Sequence, residues 1–308
     1  MTYIKKHNFF ISALIVFFLL TFSNEIMQSI RDGIRLSAFT VIPAVFPFLV
    51  LSDYLSAAGE DFPLDKTLSK LFLIPKCATG ALVCGLMCGF PSGVKYSVRL
   101  YENNMITKDD LERIIGLVNN PSMAFVVSAV GIGMLKSPSD GLLLLSALLF
   151  SVLLTSRCFP SQKKKIEIQG YITGQKFSLV NSIKDAGLSA VALSSYIIFF
   201  SSILGVIKKI IKSDVFIAFI SAAIEIGNAS ALISSANINM YCKFLLLGFA
   251  LGFSGFSVHF QAFSQLPKDI KKNKYIKMKL TQGIICGIVA SLLKMALAFM
   301  QKTPMYLV

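Results

Sequence analysis

The chain has 308 residues, of which 55% are hydrophobic and only 15% are charged, and its mean hydropathy is +0.70. Soluble globular domains carry about a quarter charged residues, so this composition excludes a water-soluble globular protein. The net charge of +14 would fit a nucleic-acid-binding protein. The basic residues lie between apolar runs, however, where the positive-inside bias of membrane proteins explains them, and no nucleic-acid-binding motif accompanies them. We expect a polytopic all-α membrane protein whose partner is the lipid bilayer, with no nucleic acid partner.

The first segment, residues 1–35, pairs Lys5 and Lys6 with an apolar stretch from Phe9 to Phe22. This pattern is typical of a signal peptide or of a first transmembrane helix. No small-x-small cleavage site follows it, which favours a retained helix. Residues 23–35 are amphipathic and are predicted to lie at the membrane interface.

Residues 36–156 are predicted to form a first structural unit. Within it, an apolar segment over residues 71–89 runs into Gly89-Phe90-Pro91-Ser92-Gly93, and glycine and proline so placed break a helix. Non-helical backbone at membrane depth is tolerated only where protein buries it. We therefore predict a re-entrant helical hairpin, followed by a span that Asn119-Asn120-Pro121-Ser122 interrupts.

A basic segment, residues 157–185, is predicted to be a cytoplasmic loop, and residues 186–301 form the second unit. The second unit repeats the order of the first: a span, an apolar segment broken around Glu225, a span with a polar string, and a last span from about Leu280. Three predicted crossings per unit make the second unit inverted relative to the first. With the N-terminus inside, the basic loops 157–185 and 267–279 both lie inside, as the positive-inside rule requires.

Lysines at the end of the first span of the second unit do not fit this topology. Lys208, Lys209 and Lys212 are predicted to lie outside. Two inverted repeats with discontinuous helices are nevertheless a recurrent design of secondary transporters, and we predict this architecture.

Ionisable groups at membrane depth are functional candidates because burying them is costly. Glu225 is the only charge in the apolar segment 215–240. It is predicted to couple a proton or cation or to accept hydrogen bonds from substrate, together with Asn228; a structural pairing with Ser or Asn is the alternative. Ser92 and Lys95 at the first hairpin are predicted to contact an anionic substrate, helped by a helix N-terminus. Snorkelling of Lys95 to the interface is the alternative.

Polar clusters inside the two interrupted spans are the other candidates. Asn119, Asn120 and Ser122 are predicted to bind substrate beside unwound backbone, or else to join helices. The second unit offers an equivalent set. His259 in this set is predicted either to relay protons, since the pKa of a histidine side chain is ordinarily near neutrality, or to have a structural role. Lys294 in the last helix is expected to snorkel. The equivalent set is Ser254, Ser257, His259 and Gln261.

Enzyme motifs are lacking: the sequence has no GxSxG, HExxH, Walker A or dinucleotide fingerprint, and we expect no catalytic residue. The six cysteines show neither a metal-ligand spacing with histidine nor a disulfide pattern, so we expect no metal and no cofactor beyond a possible H⁺ or Na⁺ coupling ion.

Taken together, the motifs resemble those of the YlbJ-type sporulation integral membrane proteins, within the nucleoside-recognition or gate-domain family. The resemblance covers about residues 36–300 in the family's order. The motifs are Phe46-Pro47-Phe48, Gly89-Phe90-Pro91-Ser92-Gly93-Val94-Lys95, Asn119-Asn120-Pro121-Ser122, Glu225-Ile226-Gly227-Asn228 and Gly252-Phe253-Ser254-Gly255-Phe256-Ser257-Val258-His259-Phe260-Gln261.

The resemblance implies a concentrative-nucleoside-transporter-like fold and a role in building the spore cortex during endospore formation. It also implies a multi-pass location in the mother-cell or outer forespore membrane, and movement of dipicolinate toward the forespore by alternating access. Dipicolinate is a small planar dianion, which Lys95 and the helix termini would suit. The alternative is a non-transporting scaffold or gate protein of the sporulation machinery.

Overall fold

The computed structural model describes residues 2–57, 64–160 and 178–302. Every regular element within these ranges is helical. The elements of the first half are α1 (Thr2–Thr21), α2 (Ser23–Leu36), the π-helix π1 (Ser37–Val41), α3 (Ile42–Ala57), α4 (Asp65–Phe72), a 3₁₀ turn (Lys76–Ala78), α5 (Thr79–Cys88), α6 (Ser92–Glu102), α7 (Lys108–Val118), the π-helix π2 (Phe125–Met134) and α8 (Pro138–Cys158). Those of the second half are α9 (Leu179–Ile210), α10 (Asp214–Ile224), α11 (Ile226–Ser235), α12 (Met240–Phe253), α13 (Gly255–Ser264) and α14 (Asn273–Lys302).

Several of these helices are suited to a bilayer. In the described ranges, five are long and apolar enough to cross one: Ser23–Leu51, Pro138–Cys158, Leu179–Ile210, Met240–Ser264 and Asn273–Met300. The predicted all-α polytopic membrane protein is thereby confirmed. A sixth candidate is bent by 96° between Asp65–Phe72 and Lys76–Cys88, so it is either a broken span or a re-entrant segment.

The amphipathic stretch over residues 23–35 is continuous with the helices that follow it. It continues through π1 into α3 and forms the first part of the span Ser23–Leu51. It packs along α9 at two points: Glu25 pairs with Lys209 at 2.7 Å, and the Ser201 side chain fills the space beside Gly33. The other charged residues of this stretch, Arg31, Asp32 and Arg35, are exposed, and its location at the membrane interface stays a prediction.

The predicted loop over residues 157–185 is shorter than expected at both ends, because α8 runs to Cys158 and α9 begins at Leu179. Residues 161–177 of this segment lie outside the described residues. The last helix also begins earlier than predicted, at Asn273. Within α14, Lys294 pairs with Asp140 at the start of α8, at 2.5 Å.

Two pairs of consecutive helices fold back on themselves. The first hairpin, α5 and α6, turns at Gly89-Phe90-Pro91, and a Cβ built on Gly93 would lie only 2.8 Å from Cα of Gly85. The backbones of the two arms therefore nearly touch, as small residues at helix crossings allow. The second hairpin, α10 and α11, turns at Glu225, and its arms also pack on each other.

Two further elements are interrupted without folding back. Non-helical residues 119–122 separate α7 from π2, and Ser254 separates α12 from α13 within one span. Each half of the chain thus contains, in the same order, a long helix, a hairpin, an interrupted helix and a final helix. In the first half these are α2–α3, α5–α6, α7–π2 and α8; in the second they are α9, α10–α11, α12–α13 and α14.

The packing of the first hairpin on α7 predicts that Gly85→Ala destabilises the protein. A Cβ at Gly85 would overlap the carbonyl oxygen of Val118, and such overpacking costs about 1–3 kcal/mol. We expect a lower Tm for the variant purified in detergent. Gly187→Ala is the matched control, because nothing lies within 4 Å of its Cβ position; it should leave the Tm unchanged or raise it, since alanine favours a helix. Equal Tm values for the two variants would contradict this packing.

Candidate functional site

A small cavity of about 30 Å³ lies where the two hairpin turns meet. Gly89 and Phe90 of the first turn line it, as do Glu225 and Gly227 of the second. Ser122, in the interruption between α7 and π2, also reaches the cavity. The rest of the wall is apolar and consists of Val41, Val45, Leu49, Cys88, Phe125, Leu193, Ile197 and Ile226.

Each hairpin turn also touches an interrupted helix at a glycine. A Cβ on Gly89 would lie 2.8 Å from the backbone nitrogen of Ser122, and one on Gly255 would lie 3.0 Å from the carbonyl oxygen of Ile224. Both glycines have positive φ angles, of 82° and 77°, a conformation that glycine adopts without strain. Hairpin turns and helix interruptions are thus held together by backbone approach.

Glu225 caps the N-terminus of α11. Its Oε1 accepts a hydrogen bond from the backbone N–H of Gly227 (2.8 Å), and its Oε2 accepts from the backbone N–H (2.6 Å) and side-chain amide (2.9 Å) of Asn228. The Asn228 amide in turn donates to Ser201 on α9 at 2.8 Å. A carboxylate at a helix N-terminus is favoured by the helix dipole. The structure therefore gives Glu225 and Asn228 a structural pairing, and it also places Glu225 on the cavity wall.

A larger vestibule of about 450 Å³ adjoins the cavity. Lys95 and Arg99, one turn apart on α6, line it together with Asp185 near the start of α9. Two cations against one anion make this surface basic. Ser92 and Gln261 are also on its wall.

Three apolar side chains separate the vestibule from the cavity. Leu49, Phe90 and Leu193 line both spaces, and we name them the apolar plug. They come from α3, the first hairpin turn and α9. The plug is therefore the boundary that these three elements share between the two spaces.

The asparagines of the α7–π2 interruption line neither space, since both are tied to α14. Asn119 donates from its side-chain amide to the Tyr275 hydroxyl at 2.7 Å. Lys279 donates to the carbonyl oxygen of Asn119 (2.9 Å) and to Oδ1 of Asn120 (3.2 Å). Gln282 donates to the same Oδ1 at 2.7 Å and accepts from Lys279 at 2.9 Å. All five side chains are buried.

His259 extends this network onto α13. Its Nδ1 lies 2.8 Å from the Tyr275 hydroxyl, and its ring packs edge-on against Phe253, with centroids 4.6 Å apart. Within the described part of the chain its Nε2 has no hydrogen-bond partner. Ser254 takes the left-handed conformation at the start of α13 and donates to the Leu251 carbonyl oxygen at 3.2 Å.

The predicted site residues therefore fall into separate groups. Ser122 and Glu225 reach the cavity; Ser92, Lys95 and Gln261 reach the vestibule. Asn119, Asn120 and His259 belong to the buried network, Asn228 supports Glu225, and Ser254 and Ser257 are buried at the start of α13. Among the described residues, no group of three or more His, Cys, Asp or Glu side chains is placed to hold a metal ion.

Sequence reasoning missed Tyr275, Lys279 and Gln282. Lys279 was assigned to the basic loop 267–279, because the other lysines around it are typical of a cytoplasmic loop. A signal was present: the spacing of these residues, four and then three, places them on one helix face. Their joint burial follows from the start of α14 at Asn273.

An ion pair helps to bring this face of α14 against the interruption. Lys108 at the start of α7 lies 3.2 Å from Asp269 in the segment before α14. The hydrogen bond from Lys108 holds the pKa of Asp269 below its ordinary value. Because both side chains are about half exposed, with 41% and 53% of their surface accessible, the pair positions the segment more than it stabilises the fold.

One curated protein gives these findings a family context. The sporulation integral membrane protein YlbJ of Bacillus subtilis (strain 168) is 26% identical to this chain over an alignment of 313 residues. The alignment covers 86% of this chain and 77% of that protein. The resemblance to YlbJ-type sporulation integral membrane proteins inferred from the motifs is thereby confirmed. No protein-family model matches the chain, and no solved structure matches it.

The buried network predicts that Tyr275→Phe lowers stability. Loss of the hydroxyl leaves the Asn119 amide donor buried without an acceptor, which costs about 1–3 kcal/mol. We expect a Tm several degrees lower for the purified protein. Tyr241→Phe is the control, because the Tyr241 hydroxyl makes no hydrogen bond within the described residues. An unchanged Tm for Tyr275→Phe would show that the network does not stabilise the fold.

Proposed function

We propose, from the YlbJ-type assignment of this chain, that it acts in endospore formation as a solute transporter and not as an enzyme. The single observation that supports this most is the meeting of both hairpin turns at a cavity that shares the residues of the apolar plug with an open vestibule. In this proposal, solute enters the vestibule and reaches the cavity when the plug parts. It leaves on the opposite side when the hairpins rearrange, so the mechanism is alternating access.

The proposed substrate is a small anion such as dipicolinate. Lys95 and Arg99 on the vestibule wall suit a pair of carboxylates, because arginine binds carboxylates in bidentate fashion and lysine acts as a point charge. Asp185 stands on the same wall and would disfavour a third negative charge. A planar dianion fits this balance better than a neutral nucleoside does.

The proposed architecture is two inverted repeats of concentrative-nucleoside-transporter type. It is supported by the common order of elements in the two halves and by the approach of one hairpin turn from each half to the same cavity. In such transporters, discontinuous helices place their termini at a central binding site. The inverted order also explains why α2–α3 and α9 run antiparallel, so that Glu25 at the start of α2 meets Lys209 at the end of α9.

The proposed orientation places the vestibule on the cytoplasmic side of the mother-cell or outer forespore membrane. Asp185 and Gln265 on its wall adjoin the two basic segments that the positive-inside rule assigns to the cytoplasm. The structure would then correspond to an inward-facing state in which the plug closes the cavity. Coupling to H⁺ or Na⁺ completes the proposal as its energy source.

Transport by the purified protein tests this directly. Proteoliposomes that contain the protein should take up labelled dipicolinate, and Lys95→Ala combined with Arg99→Ala should reduce uptake at least about tenfold, since two charge-assisted contacts are lost. Lys184→Ala is the control: this lysine is exposed on α9 but does not line the vestibule. No uptake by folded protein under either a proton or a sodium gradient would contradict transport of dipicolinate and favour a scaffold.

The same assay tests whether the carboxylate of Glu225 is needed for transport. In Glu225→Gln, an amide replaces the carboxylate that accepts from Gly227 and Asn228, so one of these donors faces another N–H group. We expect the variant to insert in the membrane and to lose uptake. Full uptake by Glu225→Gln would show that its charge has no part in transport.

A further inference from the structure

The ammonium group of Lys279 lies among three oxygen atoms. These are the carbonyl oxygen of Asn119 (2.9 Å), Oδ1 of Asn120 (3.2 Å) and Oε1 of Gln282 (2.9 Å). Lys279 is fully buried. Its hydrogen-bond partners in the described part of the chain are all neutral, so no carboxylate balances its charge there.

The number of acceptors matches the number of donors. A protonated lysine has three N–H groups and no acceptor, and each of the three oxygens takes one. Two of the oxygens belong to amide side chains and one to the backbone, and such neutral oxygens are ligands of monovalent cations in proteins. The surroundings are therefore those of a coordinated cation, with the nitrogen at the position of the ion.

Helix geometry offsets part of the cost of burying this charge. Burial of an unpaired ion costs several kcal/mol even after relaxation. Asn119 terminates α7, and the carbonyl groups at the end of a helix carry partial negative charge. The positive group therefore lies where the dipole of α7 favours it.

The position of the Lys279 ammonium group also bears on the wall of the cavity. Two of the three oxygens come from the interruption between α7 and π2, and Ser122 of the same interruption lines the cavity and touches Gly89. A cation that gathers these oxygens fixes the interruption against α14. It thereby holds one wall of the space between the hairpin turns.

We propose that the carbonyl oxygen of Asn119, Oδ1 of Asn120 and Oε1 of Gln282 form a monovalent-cation site that the chain fills with its own ammonium group. The protein then needs no free cation at this position. Truncation of Lys279 opens the site to ammonium or an alkylammonium ion of the same donor chemistry. The test measures thermal stability, so its outcome does not depend on whether the protein transports dipicolinate.

The experiment measures the Tm of purified wild type, Lys279→Ala and Lys279→Met in detergent. Each protein is measured in chloride salts of sodium, potassium, methylammonium and tetramethylammonium at equal ionic strength. The wild type should have the same Tm in all four salts. In tetramethylammonium, which cannot donate hydrogen bonds, Lys279→Ala should have a Tm roughly 5–10 °C below that of the wild type. Methylammonium should restore at least half of that loss in a saturable manner.

Lys279→Met separates a cation site from a simple loss of packing. Methionine fills much of the same space but leaves no room for an ion, so its lower Tm should not respond to methylammonium. Lys277→Ala, an exposed neighbour, controls for loss of charge on α14. A Lys279→Ala protein that methylammonium does not restore, or that fails to fold even in its presence, would overturn the proposal. So would an equal response of Lys279→Met.

Discussion

Backbone groups freed by broken helices are the constraint on which this structure depends. Hydrocarbon offers no hydrogen-bond partner to an N–H or C=O group, and several elements in the described ranges are interrupted by a turn or a non-helical segment. At the second hairpin turn and at the interruption between α7 and π2, side chains supply the partners. Glu225 accepts the free N–H groups of α11, Ser122 accepts from the N–H of Phe125 at 3.0 Å, and Lys279 donates to the end of α7. These contacts allow non-helical backbone to persist beside the cavity.

The same contacts divide the interior into a part that is fixed and a part that is suited to move. The interruption of α7–π2 is tied to α14 by a buried network, and α14 packs closely on α12 and α8. The first hairpin turn is held instead by its glycine contact with Ser122 and by the apolar plug. Apolar contacts have no directional requirement, so the plug can part at lower cost than the network. A transporter needs this combination of a rigid frame and movable hairpins.

Much of the arrangement is predictable from the sequence, because its strongest signals are helix breakers in apolar runs. Gly89-Phe90-Pro91 and Glu225 each mark a hairpin turn that the structure contains. The buried lysine was not predictable in the same way: Lys279 has basic neighbours, and only the start of α14 at Asn273 decides that it faces inward. Tertiary contact, and not local pattern, determines the surroundings of this charge.

The most direct test of a path through the plug is the reactivity of Cys88, which lines the cavity and is buried. In a variant that retains Cys88 and lacks the other five cysteines, a small methanethiosulfonate reagent applied to proteoliposomes should label Cys88 slowly. Phe90→Ala should increase the labelling rate by about tenfold or more, and only from the side where Lys95 is accessible, because removal of the ring opens the plug. An unchanged rate, or faster labelling from the opposite side alone, would contradict the proposed path.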